Sequence, residues 1–283
     1  MINLFDKTSY QISKRVTNNY STSFSLGIKV LSEKFHSPIY AIYGFVRYAD
    51  EIVDTFHQHD KKKLLREFKE ETIKSIRLRI SLNPILNSFQ LVVNQYQIDL
   101  DLITAFFNSM EMDLLQIVYD EEKYDKYIYG SAEVVGLMCL YVFCEGNLTL
   151  YDELKVPARR LGAAFQKVNF LRDIKSDYKD RGRIYFPGLD LNHFDMGMKR
   201  EIENDISRDF EEAIKGIRKL PTGAKIGVYL AYIYYLKLFS KIRSCPASKI
   251  MNERIRIHDF AKILLLIKTY LSLKLSINEI KTV

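Results

Sequence analysis

Apolar residues recur along this chain at the spacing of helices and almost nowhere at that of strands. Leu100, Ile103, Phe106, Phe107, Met110 and Leu114 share one helical face, as do Val228, Ala231, Tyr232, Tyr235 and Phe239. Alternating runs bounded by hairpin turns are absent. Pro38, Pro84, Pro157, Pro221 and Pro246 each precede a long apolar-periodic segment, where the first turn of a helix tolerates proline. The pattern predicts an all-α protein of roughly eight to twelve helices around a central core. No internal repeat or Gly/Ser/Pro-rich linker divides it, so one domain over residues 1–283 is expected. Segments 39–56 and 224–242 are apolar and aromatic almost all round, which marks them as central helices.

Composition narrows the class. With 47% hydrophobic and 27% charged residues the chain can bury a sizeable core. The net charge of +7 is scattered, and its longest basic run, Lys61-Lys62-Lys63, reads as a helix start. A nucleic-acid partner is not expected. A weak attraction to anionic membrane surfaces or phosphorylated ligands is. Cys139, Cys144 and Cys245 have neither disulfide-framework nor zinc spacing. The N-terminal residues lack the layout of a signal peptide. The most apolar stretch, GVYLAYIYYL at 227–236, falls well short of the ~18 apolar residues of a membrane span. A cytoplasmic protein with at most peripheral contact on the inner membrane face is expected.

Charge placement is more informative than charge. Residues 48–56 read YADEIVDTF, putting Asp50 and Asp54 one turn apart in an apolar helix. Such a pair opposes itself by roughly 0.2–0.5 kcal/mol on an exposed helix, and burial raises the cost. The same face carries Tyr43 and Arg47. Either Arg47 pairs with Asp50 in a buried salt bridge, or a cation and a polyanion complete the site. Glu51 lies about 100° round the helix, in a supporting position. A second pair is clearer: Gln166, Asn169, Asp173 and Asp177 share one face. Carboxylates and amides are oxygen donors of the kind hard Mg²⁺ prefers, usually with substrate phosphates completing the shell. Arg181, Arg183 and Tyr185 follow around Gly182, and arginines on a glycine turn suit diphosphate oxygens. A third pair, Asp205/Asp209, sits among glutamates and reads as a solvated acidic face. Glu111 and Asp113 in SMEMDL fit outer partners of the site or capping and surface roles equally. His57 and His59 read as surface.

FVRYADEIVD together with QKVNFLRDIKSDYKDRGRIYFP closely resembles the two aspartate-rich signatures of the squalene/phytoene synthase family. NNYSTSFSLGIKVL, SMEMDL and YIYGSAEVVGLMCLYVF resemble its N-terminal and middle segments, in the expected order, over residues 8–275. Details favour the bacterial phytoene synthase branch. The resemblance implies an isoprenoid-synthase helical bundle with a central cavity. It implies Mg²⁺-dependent (or Mn²⁺-dependent) head-to-head joining of two prenyl diphosphates through a cyclopropyl diphosphate. Two geranylgeranyl diphosphates would give phytoene without a nicotinamide cofactor. Two farnesyl diphosphates would give dehydrosqualene or squalene, and a silent scaffold on the same fold is the remaining alternative. Carried over by position, Asp50 and Asp54 would hold metal for one diphosphate; Asn169, Asp173 and Asp177 would hold it for the other. Ser21, Ser23, Phe24, Ser25, Tyr43, Arg47, Gln166, Arg172, Arg183 and Tyr185 would meet substrate. Tyr43 and Tyr127 would face the cavity, with Tyr129 competing for the second place. Ser131, Ala132 and Glu133 depart from the small residues usual there. Residues 261–277 read as a final packed helix.

Overall fold

The computed structural model describes residues 2–115, 118–190 and 193–256; the 261–277 helix and the Arg181 side chain fall outside what it describes. Twelve α-helices follow in order among the described residues: α1 (Ile2–Tyr20), α2 (Thr22–Lys29), α3 (Glu33–Asp54), α4 (Lys61–Leu78), α5 (Pro84–Tyr96), α6 (Leu100–Leu115), α7 (Glu121–Ile128), α8 (Val134–Cys144), α9 (Leu148–Arg181), α10 (Met196–Lys219), α11 (Thr222–Arg243) and α12 (Ala247–Asn252). A π-helical turn, Tyr129–Glu133, joins α7 to α8. The only strand-like pairing among those residues is one isolated bridge, Val118 to Ile184.

Local chemistry sets the boundaries. Ser21, Asp60, Asn83, Asp120, Asn147 and Asp195 cap α2, α4, α5, α7, α9 and α10 by accepting from backbone N–H groups of the first turn. Pro84 opens α5 as expected, and Pro221 and Pro246 sit at the caps of α11 and α12. Pro38 and Pro157 do not mark starts: both lie inside longer helices, α3 and α9. Packing outweighs the lost hydrogen bond. Pro38 is buried in the core, and Pro157 presses on Gly216 of α10, where an added Cβ would meet its ring at 2.3 Å.

Two apolar cores result. In one, Phe45 stacks on Phe89 at 3.9 Å and meets Phe68, Phe106 and Phe107. In the other, Phe170 stacks on Tyr185, also at 3.9 Å, amid α9, α10 and α11 residues. The run Glu121–Cys144 is long and apolar enough to cross a membrane, which the sequence reading missed; it is largely buried within the bundle, between these cores.

Asp205/Asp209 needs correcting too. Asp209 is buried, not solvated, and bonds Lys167 of α9 at 2.7 Å; Asp205 bonds the same ammonium at 2.5 Å. The pair ties α10 to α9. Asp209→Ala should cost roughly 1–3 kcal/mol in urea unfolding, because it removes one partner of a buried pair while Asp205 remains. Its KM for substrate should not move; a raised KM at unchanged stability would place Asp209 in the site.

Candidate active site

A cavity of about 420 Å³ lies between the two cores. Phe24, Tyr43, Asp50, Tyr127, Gln166 and Asn169 line it, with Ser23 beside them. Away from these polar groups its walls are apolar, including Leu31, Ile39, Leu140, Phe143, Leu154 and Leu220. It is a channel with one charged end. Of the two tyrosines competing for the second place, Tyr127 lines the cavity, while Tyr129 lies under the Arg159 guanidinium.

α3 supplies the first acidic pair. Its other faces bury Ile42, Phe45, Ala49 and Ile52, so the Tyr43–Arg47–Asp50–Asp54 strip has to turn toward the cavity side. Arg47 does not pair with Asp50. It hydrogen-bonds Glu51, one turn on, and its guanidinium sits 4.4 Å from the Tyr20 ring centre. Glu51 thus has the supporting position expected, and Asp50 is left facing the cavity. Burial, reinforced by Asp54 and opposed by Arg47, pushes the Asp50 carboxyl up to about 8. Asp54 is held by Arg183 Nη1 at 3.0 Å.

α9 supplies the second set. Asn169 Oδ1 accepts from the Tyr235 hydroxyl at 3.4 Å, and that tyrosine stacks on Phe165 at 3.9 Å. Two arginines grip Asp173: Arg172 at 2.9 and 2.6 Å, and Arg254 at 2.6 and 3.0 Å. Burial alone would raise this carboxyl, but Arg172 and Arg254 overcome it and hold it below the usual range. Asp177 is buried near the end of the helix. There Gly182 takes φ +67°, which L side chains rarely adopt, and the Arg183 N–H donates to the Asp177 carbonyl at 2.8 Å. This turn sends Arg183 back across the site.

Arg183 meets the residue whose role the sequence left open. Asp113 of α6 is buried, and its carboxyl accepts from Tyr127 at 2.7 Å and Tyr185 at 3.1 Å. Arg183 donates to the Asp113 carbonyl at 3.0 Å and to the Tyr185 oxygen at 3.2 Å. One carboxyl therefore holds two tyrosines and an arginine drawn from two other parts of the chain. Burial, offset by Arg183 and Tyr127, leaves it raised to about 6. Glu111, by contrast, pairs with Lys69 at the surface. Of the N-terminal serines, Ser21 caps α2 beside the Tyr43 hydroxyl and Ser23 lines the cavity, while Ser25 is buried with its oxygen unpartnered.

Sequence reasoning missed Arg254 and Tyr235 and left Asp113 undecided. A signal for Asp113 existed: it extends the buried stripe Ile103–Phe106–Met110 of α6, where a lone carboxylate needs partners. Arg254 carried no such signal. The departure at Glu133 is accommodated within the π-helical turn. Its carboxylate is buried and takes Arg159 Nε at 2.6 Å, while Gly162 lets α9 come close to the Ala132 carbonyl.

The first pair has the donor chemistry that suits a hard divalent cation: Asp54 lies close enough to Asp50 and Asp113 to raise both of their carboxyls, and a cation there would relieve that repulsion. Among the described residues no three acidic, histidine or cysteine side chains converge as a complete protein cage.

The model of one family, squalene/phytoene synthase, matches residues 17–260. A 4,4'-diapophytoene synthase of Staphylococcus haemolyticus is 28% identical over 70% of this chain and 68% of its own length. A 15-cis-phytoene synthase of Synechocystis is 28% identical over 83% of this chain and 77% of its own. A chloroplastic phytoene synthase of Zea mays is 26% identical over 84%, and the chain spans 62% of it. Among solved structures, a dehydrosqualene synthase in complex with ligand superposes with a TM-score of 0.81 at 20% identity, covering 95% of this chain and 98% of that one. The squalene synthase HpnC from Alicyclobacillus acidocaldarius gives 0.75 at 20% identity, over 88% and 96%. With Asp50, Gln166 and Asn169 of its two polar helix faces lining a largely apolar cavity in a helical bundle, and with the family model matching residues 17–260, the chain belongs to the squalene/phytoene synthase family, prenyltransferases that join prenyl diphosphates head to head.

Proposed function

We propose that this protein condenses two geranylgeranyl diphosphates to phytoene, with Mg²⁺ as cofactor. The observation that carries the reading is the cavity, polar and acidic at one end and hydrocarbon-lined beyond it. An isoprenoid tail fits such walls and a diphosphate fits such an end. Asp50 and Asp54 would hold metal for one diphosphate, and Asn169, Asp173 and Asp177 for the other, once Arg172 and Arg254 transfer from Asp173 to phosphate oxygens. Bound there, Mg²⁺ supplies Lewis-acid stabilisation of the departing diphosphate, worth several kcal/mol.

The chain's own groups do the rest. Arg183, already placed beside Asp54, offers a fixed positive charge to a leaving phosphate. The apolar walls keep water from the allylic cations of both steps, ionisation to the cyclopropyl diphosphate and its rearrangement. Tyr43, Tyr127 and Phe165 line the same cavity and present ring faces or edges near those cations. Tyr127 keeps a defined hydroxyl direction because it donates its hydrogen bond to the Asp113 carboxyl.

Our choice of C20 rests on the longer similarity to the two phytoene synthases, 83% and 84% of this chain against 70% for the diapophytoene synthase, at 26–28% identity in all three. Purified protein given geranylgeranyl diphosphate should yield a C40 hydrocarbon with Mg²⁺ and none with EDTA. A C30 product from farnesyl diphosphate alone would replace the substrate and keep the chemistry. No diphosphate release from either would make the protein a silent member of the fold.

A further inference from the structure

The end of α4 and the loop to α5 expose more aliphatic surface than a solvated helix end needs. Ile73 is 39% exposed, Leu78 52%, Ile80 44% and Leu82 91%. Interleaved with them are Lys74, Arg77 and Arg79, all exposed and none in an ion pair among the described residues. Between Glu71 and Asp99 the sequence has no acidic residue. The patch is therefore apolar and mainly basic, with Glu71 and Asp6 the carboxylates bonded to its edge.

It is also held in place. Ser81 N–H donates to Asn87 Oδ1 at 3.2 Å, Ser81 Oγ donates to Glu71 at 3.2 Å, and Asn83 N–H donates to Ser81 Oγ at 3.1 Å. Asn83 then caps α5, whose first residue is Pro84. Leu82 is presented on a braced turn, so a partner that buries it need not order the loop. Asn87 also donates to Asp6 at 3.0 Å. That brings the start of α1, with Ile2 57% and Leu4 70% exposed, to the same part of the surface.

Protruding aliphatic side chains flanked by unpaired arginines and lysines match the interface of an anionic bilayer, where chains enter the acyl boundary and cations meet phosphates. A nucleic acid would match the charge, but aromatic stacking groups are lacking there. We propose that this rim docks the protein onto an anionic lipid surface, with Leu78, Ile80 and Leu82 entering the headgroup region and Lys74, Arg77 and Arg79 facing lipid phosphates. Docking needs no turnover, so it stands or falls separately from the enzymatic reading.

The test is flotation of the full chain with phosphatidylcholine vesicles, with and without phosphatidylglycerol. Flotation is expected only with the anionic lipid and should weaken in high salt. Arg77→Gln with Arg79→Gln should weaken it about thirtyfold, as two lost charges near an anionic surface would. Ile80→Asp with Leu82→Asp should weaken it by roughly tenfold or more. Both variants should keep wild-type melting and wild-type turnover of detergent-dispersed substrate, since none of these residues touches the cavity. Equal binding by variants and wild type, or no binding to anionic vesicles, would overturn the proposal. So would a concentration-dependent dimer that the Ile80→Asp/Leu82→Asp variant loses, which would assign the patch to a second copy of this chain.

Discussion

Asp50→Asn should abolish turnover and at the same time raise the melting temperature of the metal-free protein. The two effects share a cause. Asp50 faces the cavity with Asp54 one turn away and no arginine of its own, since Arg47 is committed to Glu51. Burial and Asp54 lift its carboxyl from 3.8 to about 8 in the folded state. Between those values the folded protein keeps a proton that the unfolded chain has released. Stability therefore falls as pH rises from about 4 to about 8. Asparagine removes the titration, so the variant's stability should lose that slope and exceed wild type by on the order of 1–3 kcal/mol near pH 8 without metal. A neutral amide, however, is a poor metal ligand and cannot take the charge a diphosphate brings, so product formation should drop by three orders of magnitude or more, roughly 4 kcal/mol of lost stabilisation. Melting curves against pH in EDTA, beside product assays in Mg²⁺, measure both. A strongly destabilised variant would mean that Asp50 holds a structural pair after all.

How much of this was legible beforehand follows from how local each feature is. The two acidic faces are written in i, i+3 and i+4 spacings within single helices, so the sequence carries them directly, as it carries the all-helical architecture. What it does not carry is which cation answers which carboxylate. Arg47 lies equally well for Asp50 and Glu51 on a helical wheel, and only the turn of α3 against α1, with Tyr20 beneath the guanidinium, selects Glu51. Arg254 reaches Asp173 across 81 residues, and Arg183 reaches Asp113 across 70. Pairings at that separation depend on tertiary packing that periodicity cannot encode. The Asp205/Asp209 misreading has the same origin. An acidic stretch looks solvated until a lysine from another helix is brought under it, and Lys167 faces α10 because Gln166 and Asn169 already turn the opposite side of α9 to the cavity.

Asp113→Ala should show what that long-range wiring is worth. Removing the carboxyl leaves the buried hydroxyls of Tyr127 and Tyr185 without their acceptor and deprives Arg183 of one of its two carboxylates. Breaking a buried, hydrogen-bonded charge cluster in this way costs about 3–5 kcal/mol. Because Arg183 keeps Asp54 at 3.0 Å, the loss should fall toward the lower end, visible as a lowered urea midpoint at unchanged slope. Turnover should fall further than stability explains. With the fold intact at low temperature, kcat should drop by roughly 10²–10³, the cost of misplacing a fixed charge aimed at a leaving group. KM should change less, since the apolar walls that bind the tails are untouched. Asp113→Asn is the discriminating companion. Its amide can still accept from Tyr127 and hold the ring in the cavity wall, but it cannot balance the Arg183 charge. Stability should largely return while kcat stays low. If Asp113→Asn instead restored both together, the carboxyl would be a packing element and the charge on Arg183 would be set by Asp54 alone.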